Sequence, residues 1–247
     1  MMERVKKVSE LKIIPEMALD PSVYGPVLRV ENALSDIEIN NLRAYTYREK
    51  ARDYKEDGPK TRSTELYQHY GFTTTLAQYL LNNYRGIHLG MDDMINQTML
   101  DRGFEYSDPK LAEEPLMAHE TLRESTPGVD YKSHTDLASK KLTCLIYLEP
   151  KSNGDGTIFH GYDNKHTTEH TWQVNTGYIF KPNNFSYHSY RNTRDTSRWV
   201  YMINLFVDKD QEKFGIRRTF DVNESLEFYD STEQDNFENH IDKKIPI

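Results

Sequence analysis

From Leu116 to Val207 the chain is a succession of short runs rich in β-favouring residues and closed by turn residues. The runs are 116–122, 130–136, 141–149, 156–160, 170–174, 177–181, 185–190 and 198–207. Eight short strands at this spacing predict a jelly roll or another antiparallel double sheet, a class whose barrel mouth commonly receives a small ligand. Ahead of them, residues 27–32 read as a short strand. Ser35 followed three residues on by Glu38 forms a capping box that opens a helix to about Arg52. Residues 73–85 and 90–102 carry apolar residues at helical spacing and predict two helices packed on something larger. The stretch 47–62 is dense in both charge signs and contains Gly58-Pro59, which reads as a solvated loop, with a mobile lid over a site as the minority alternative. The expected organisation is a single domain over 1–247: an N-terminal strand and supporting helices in 1–115, the jelly-roll core in 116–208 and an acidic extension in 209–247.

Composition narrows the classes of function. The longest apolar run, Trp199 to Val207, is interrupted by Asn204, so no transmembrane helix and no membrane partner are expected. One cysteine, Cys144, rules out an intrachain disulfide or a cysteine zinc cluster. With no apolar stretch behind the basic amino terminus, a cytoplasmic location is expected. The net charge of -8 argues against gripping phosphate backbones, so no nucleic-acid partner is expected. Much of that charge lies in 221–247, where eight acids face Lys243 and Lys244; the predicted core is nearly neutral and an anionic small substrate is not disfavoured.

A metal site on a strand favours His-x-Asp, because side chains at i and i+2 share a face and lie roughly 6.6 Å apart along it. The pattern His-x-acid occurs twice, at His134–Asp136 and His240–Asp242, close to what 39 acids and nine histidines produce by chance. His240 lies in a polar tail with no strand after it to bring a further ligand, and reads as surface. His134 ends an extended segment fed by the turn Pro127-Gly128, and barrel-forming strands follow. His160, His166, His170 and His188 are candidates for a third ligand. His188 is favoured because Arg198 follows ten residues on, at the start of the most apolar strand, where a buried arginine needs an anion and its planar fork suits a carboxylate. Two histidines with one carboxylate are the facial triad used by non-haem Fe(II) oxygenases.

Several further stretches bear on this. Residues 27–42 (VLRVENALSDIEINNL), the Thr126-Pro127-Gly128 turn with Tyr131, the strand Lys141 to Glu149, the turn and strand Gly154 to Phe159, and Val174 to Phe180 with Gly177 keep the order and spacing of one known family. The chain over 27–207 resembles the 2-oxoglutarate- and Fe(II)-dependent oxygenases, most closely their prolyl-hydroxylase-like branch. The resemblance implies a mainly β fold with α, a double-stranded β-helix (jelly-roll, cupin-like) core with supporting N-terminal helices. It implies His134, Asp136 and His188 as iron ligands and catalytic residues. It implies Arg198 as partner of the distal carboxylate of 2-oxoglutarate, and Tyr147 hydrogen-bonding that same carboxylate. The implied reaction uses Fe(II), 2-oxoglutarate and O2, with ascorbate as a candidate reductant, and hydroxylates a C–H bond while forming succinate and CO2; Asp136 favours hydroxylation over halogenation, and desaturation or ring closure stays open. The branch slightly favours a peptidyl substrate such as proline over a free small molecule. A non-catalytic metal-binding cupin is the alternative from another class, though it has no need of Arg198. Oligomeric state is left open.

Period-two alternation places Thr143, Leu145 and Tyr147 on one face of their strand, so Thr143 is a candidate for the same pocket, with a packing role the more ordinary reading; Tyr147 too could be a core tyrosine with a satisfied hydroxyl. Cys144 points the other way and reads as a small buried hydrophobe. His160, His166 and His170 fall in a polar stretch, 160–171, that reads as a solvent-facing loop. Arg191 and Arg194 compete with Arg198 for the carboxylate but sit in a predicted turn. Arg62, Tyr67 and Tyr70 lie where relatives contact substrate, with structural packing the favoured reading.

Overall fold

The computed structural model describes residues 12–14, 27–50, 61–66, 70–99, 116–137, 139–151, 155–161, 167–183 and 186–207. Eleven strands and two helices occur among them: β1 (Lys12–Ile14), β2 (Val27–Glu31), α1 (Asp36–Lys50), β3 (Thr61–Glu65), α2 (Thr75–Met99), β4 (Leu116–Ser125), β5 (Asp130–His134), β6 (Leu142–Glu149), β7 (Thr157–His160), β8 (Thr167–His170), β9 (Thr176–Phe180), β10 (His188–Arg191) and β11 (Arg198–Val207). A seven-stranded sheet in the order β1-β2-β9-β6-β11-β4-β3 is accompanied by a four-stranded sheet in the order β5-β10-β7-β8, and every pairing is antiparallel. From β4 to β11 the chain passes back and forth between the two sheets, with β7 and β8 forming a hairpin within the small one, in the order that defines a double-stranded β-helix, so the jelly roll expected from the eight runs is the fold.

Strand alternation sorts the large sheet into two faces. Trp199, Tyr201, Ile203 and Leu205 of β11 join Leu142, Cys144, Ile146 and Leu148 of β6 in a core that includes Leu42 of α1 and Leu76, Leu80 and Tyr84 of α2. The opposite face holds a second cluster of Leu145, Tyr147, Tyr178, Phe180 and Val200 with Phe159 of the small sheet and Trp172. The first core supports the sheet from outside; the second is the barrel interior.

The capping box forms as the sequence predicts. Ser35 Oγ donates to Glu38 Oε2 at 2.7 Å, and the Glu38 amide donates back to Ser35 Oγ at 3.3 Å. The other oxygen, Oε1, accepts from the Thr75 amide at 2.6 Å and from Thr75 Oγ1 at 2.8 Å, so one carboxylate serves the starts of both helices.

Three local expectations are corrected. The two expected helices are one: α2, Thr75–Met99, runs through Gly86 and Gly90, because the buried stripe Leu76, Leu80, Tyr84, His88 and Met91 keeps its helical spacing across both glycines and that burial outweighs the roughly 1 kcal/mol each costs; 100–102 lie outside the described residues. The end of the 47–62 loop contributes β3, an edge strand whose mixed polar sequence hid it; 51–60 lie outside the described residues. The fifth strand of the core is 167–170 and not 170–174, because His170 pairs with Thr157 and the chain then turns toward β9. Its backbone comes so close that a Cβ on Gly156 would lie 1.7 Å from the His170 carbonyl oxygen. The acidic extension, with His240 and Asp242, also lies outside the described residues.

Candidate metal centre

His134 ends β5 and His188 begins β10, and the two are direct partners in the antiparallel ladder, so their side chains leave the same face of the small sheet toward the barrel interior. Asp136 lies two residues beyond His134. One ligand atom from each of His134, Asp136 and His188 lies within 4.8 Å of the others, and all three residues are buried. Each imidazole is oriented by its own strand: His134 Nδ1 lies 2.9 Å from the Lys132 carbonyl oxygen and His188 Nδ1 2.9 Å from the Ser186 carbonyl oxygen. A proton held on Nδ1 by a carbonyl leaves Nε2 as the lone-pair donor, the tautomer a metal needs.

Asp136 is held as firmly. Lys140 Nζ lies 2.9 Å from Oδ1, and Thr143 Oγ1 donates to Oδ2 at 2.7 Å. Thr143 also lies 3.1 Å from the amide of Asn204 on β11. A threonine hydroxyl has one proton, so the consistent network turns the Asn204 amide: its NH2, otherwise buried without a partner, donates to Thr143, and Thr143 donates to Asp136. Two neutral imidazoles and one carboxylate are a donor set suited to Fe(II) that leaves further coordination positions for exogenous ligands.

Deeper in the barrel Arg198 opens β11. It is buried, its Nη2 donates to Thr157 Oγ1 at 3.2 Å, its Nε has no hydrogen-bond partner, and no carboxylate pairs with it among the described residues. The guanidinium stacks 4.2 Å over the Tyr190 ring and lies 5.1 Å from the Trp172 ring. Tyr190 in turn stacks on Tyr131 at 5.2 Å, and Arg123 covers Tyr131 at 5.1 Å, which makes a column of two arginines around two tyrosines. A buried guanidinium with an orphaned donor and only aromatic and hydroxyl company could receive an anion.

Around it, the Thr157 amide donates to Tyr147 Oη at 3.0 Å, Tyr147 Oη donates to the His170 carbonyl at 3.3 Å, and Tyr178 Oη donates to Thr157 Oγ1 at 2.9 Å. Burial, opposed by the Arg198 charge, pushes the Tyr147 hydroxyl upward, and burial with the neighbouring Tyr147 pushes Tyr178 well above the ordinary tyrosine value. Both are therefore neutral donors at physiological pH.

Of the sequence candidates, His134, Asp136 and His188 converge, Thr143 meets the carboxylate of Asp136, and Arg198 and Tyr147 share the anion-receptive end of the barrel. Lys140, Asn204, Thr157, Tyr178 and Tyr190 were not read from the sequence; alternation puts Thr157 on the face of Phe159 along β7 and Tyr178 on the face of Phe180 along β9, whereas nothing in the spacing points a lysine inward. His160 and His170 depart from the solvent-facing expectation. His160 ends β7 half-buried with Nε2 2.7 Å from Ser189 Oγ. His170 ends β8 with both ring nitrogens buried, 5.7 Å from the Tyr147 ring and 5.5 Å from the Tyr178 ring. Arg191 is exposed and pairs with Asp130 at 3.1 Å, and Arg194 lies in the turn before β11. Arg62 pairs with Glu124 over Trp199, on the face opposite the barrel interior, and Tyr70 stacks on Tyr45 at 4.0 Å; both pack structurally. His166 and Tyr67 lie outside the described residues.

Solved structures share this architecture. The chain is similar in structure to prolyl hydroxylases. A Pseudomonas putida prolyl-4-hydroxylase matches at 15% identity and a TM-score of 0.44, covering 76% of this chain and 95% of that one. HygX from Streptomyces hygroscopicus, solved with nickel and 2-oxoglutarate bound, matches at 12% identity and a TM-score of 0.45, covering 75% and 84%. A Trichoplax adhaerens prolyl hydroxylase in complex with a hypoxia inducible factor peptide matches at 13% identity and a TM-score of 0.46, covering 76% and 86%. No protein-family model matches the chain, and no curated protein matches it in sequence. No helix among the described residues is long and apolar enough to cross a membrane.

Proposed function

We propose that the protein is an Fe(II)- and 2-oxoglutarate-dependent dioxygenase that hydroxylates a C–H bond. The observation that carries this reading is the joint presence in one barrel of a buried His134–Asp136–His188 set and a buried guanidinium, Arg198, without a carboxylate partner. A metal-binding protein needs the first and has no use for the second, which disfavours the cupin alternative.

When bound, iron and 2-oxoglutarate supply the oxidative chemistry, consuming O2 and yielding succinate, CO2 and a hydroxylated product. The protein's part is positional. His134 and His188 present Nε2, and Asp136 presents a carboxylate whose direction Lys140 and Thr143 fix. Arg198 pairs with the distal carboxylate of the co-substrate, and Tyr147, Tyr178 and Thr157 form the polar wall beside it. Leu145, Phe159, Phe180 and Val200 keep the intervening space dry, which strengthens each of these contacts. A peptidyl residue such as proline is the favoured substrate class, with a free amino acid or other small molecule next. Ascorbate is the expected reductant for maintaining Fe(II).

Calorimetric titration of 2-oxoglutarate into the protein loaded with Mn(II) tests the reading. Saturable binding that Arg198→Ala weakens is expected; no binding by the wild type would refute it.

A further inference from the structure

We infer that Lys140 is a positioning residue that directs the metal carboxylate and lowers the protein's affinity for a divalent cation, an inference that rests on the proposed function and concerns how its metal carboxylate is held. Lys140 is fully buried, and its Nζ lies 2.9 Å from Asp136 Oδ1. The backbone fixes this placement: the Lys140 amide donates to the Leu137 carbonyl at 3.0 Å, and the next amide, Lys141, donates to the Leu205 carbonyl of β11 at 2.7 Å. A buried lysine is costly unless an anion compensates it, and the carboxylate that does so here is the one negative group of the metal set.

Two consequences follow. Both oxygens of Asp136 already accept a hydrogen bond, Oδ1 from Lys140 and Oδ2 from Thr143, so the carboxylate is directed to a single-oxygen contact with a metal. A dication entering beside two neutral imidazoles must also share the Asp136 charge with a second cation a few ångströms away. That repulsion weakens metal binding by the protein alone. A fixed charge at Lys140 acts on the metal equally with and without the co-substrate, so it lowers metal affinity without changing the factor by which a dianionic co-substrate tightens the metal.

The test is Mn(II) binding followed by the electron paramagnetic resonance signal of the free ion, with and without 2-oxoglutarate, in the full chain. The account expects Lys140→Met to bind Mn(II) alone at least about tenfold more tightly than the wild type, since one buried repulsive charge is gone. 2-Oxoglutarate should tighten Mn(II) in that variant by the same factor as in the wild type, because the lost charge acts on the metal under both conditions. Lys140→Arg, which keeps the charge, should restore the wild-type pattern. Lys140→Gln, which keeps polarity without charge, should follow Lys140→Met and serves if the methionine variant does not fold by near-ultraviolet circular dichroism. A folded neutral variant that binds Mn(II) no more tightly than the wild type overturns the inference. Failure of the wild type to bind Mn(II) under either condition contradicts the proposed function itself, a separate outcome.

Discussion

His134 and His188 are cross-strand partners in the ladder between β5 and β10, and their ring centroids lie 4.3 Å apart. The candidate metal centre is therefore built on a pair of hydrogen-bonded strands, with the carboxylate alone supplied by the segment that leaves β5. Removing either histidine should leave the barrel folded, because Tyr131, Phe159 and Phe180 still pack around the vacated ring position.

His134→Ala should lower Mn(II) or Co(II) affinity by about 100-fold or more while leaving the far-ultraviolet circular dichroism spectrum unchanged, since one of three ligands and its oriented Nε2 are lost. Titration of the metal into the purified variant checks this.

Arg198→Lys should weaken 2-oxoglutarate by about tenfold or more with metal affinity unchanged, because an ammonium cannot reproduce a planar fork that stacks on Tyr190. Equal loss of metal and co-substrate binding would count against the role given to Arg198.

His170 contributes a pH dependence of stability. Burial, with the neighbouring Arg29 charge, lowers its pKa from 6.5 to about 4. The unfolded chain takes up the proton first as pH falls below 6.5, so stability is full above that pH, declines between 6.5 and 4 and then levels off. The loss amounts to about 3 kcal/mol. Urea unfolding of wild type and His170→Phe across pH 4–7 should show this slope in the difference between the two proteins, since the variant lacks the titrating group.

Glu38→Gln should destabilise the fold by about 1–2 kcal/mol, because the carboxylate serves the starts of both helices. Burial raises the Glu38 pKa, but hydrogen bonds from Thr75 and Ser35 outweigh it and hold the pKa below the ordinary glutamate value of 4.5. Its contribution is thus present at pH 7 and lost as pH falls below 4.5 through the lowered pKa. Thermal unfolding at pH 7 and at acid pH measures both.

Most strands from β4 to β11, β8 apart, were legible because turn residues bound each run, and the closeness of His134 to Asp136 was legible because they sit at strand spacing. Arg198 was legible because a charge opening an apolar strand is conspicuous. Lys140 was not, since a lysine in a polar turn resembles any surface lysine until the fold turns it onto Asp136. His170 was misread for a related reason: it stands among polar residues, and only the pairing with Thr157 shows that its ring enters the barrel. The split of α2 failed because glycine is a weak breaker when a buried stripe continues across it.

The most direct measurement is succinate formation from 2-oxoglutarate by the purified protein with Fe(II) in air, followed by proton nuclear magnetic resonance. The account predicts slow succinate release even without substrate, abolished in His134→Ala and strongly reduced in Arg198→Ala. No succinate from the folded wild type, together with no calorimetric binding of 2-oxoglutarate, would contradict it.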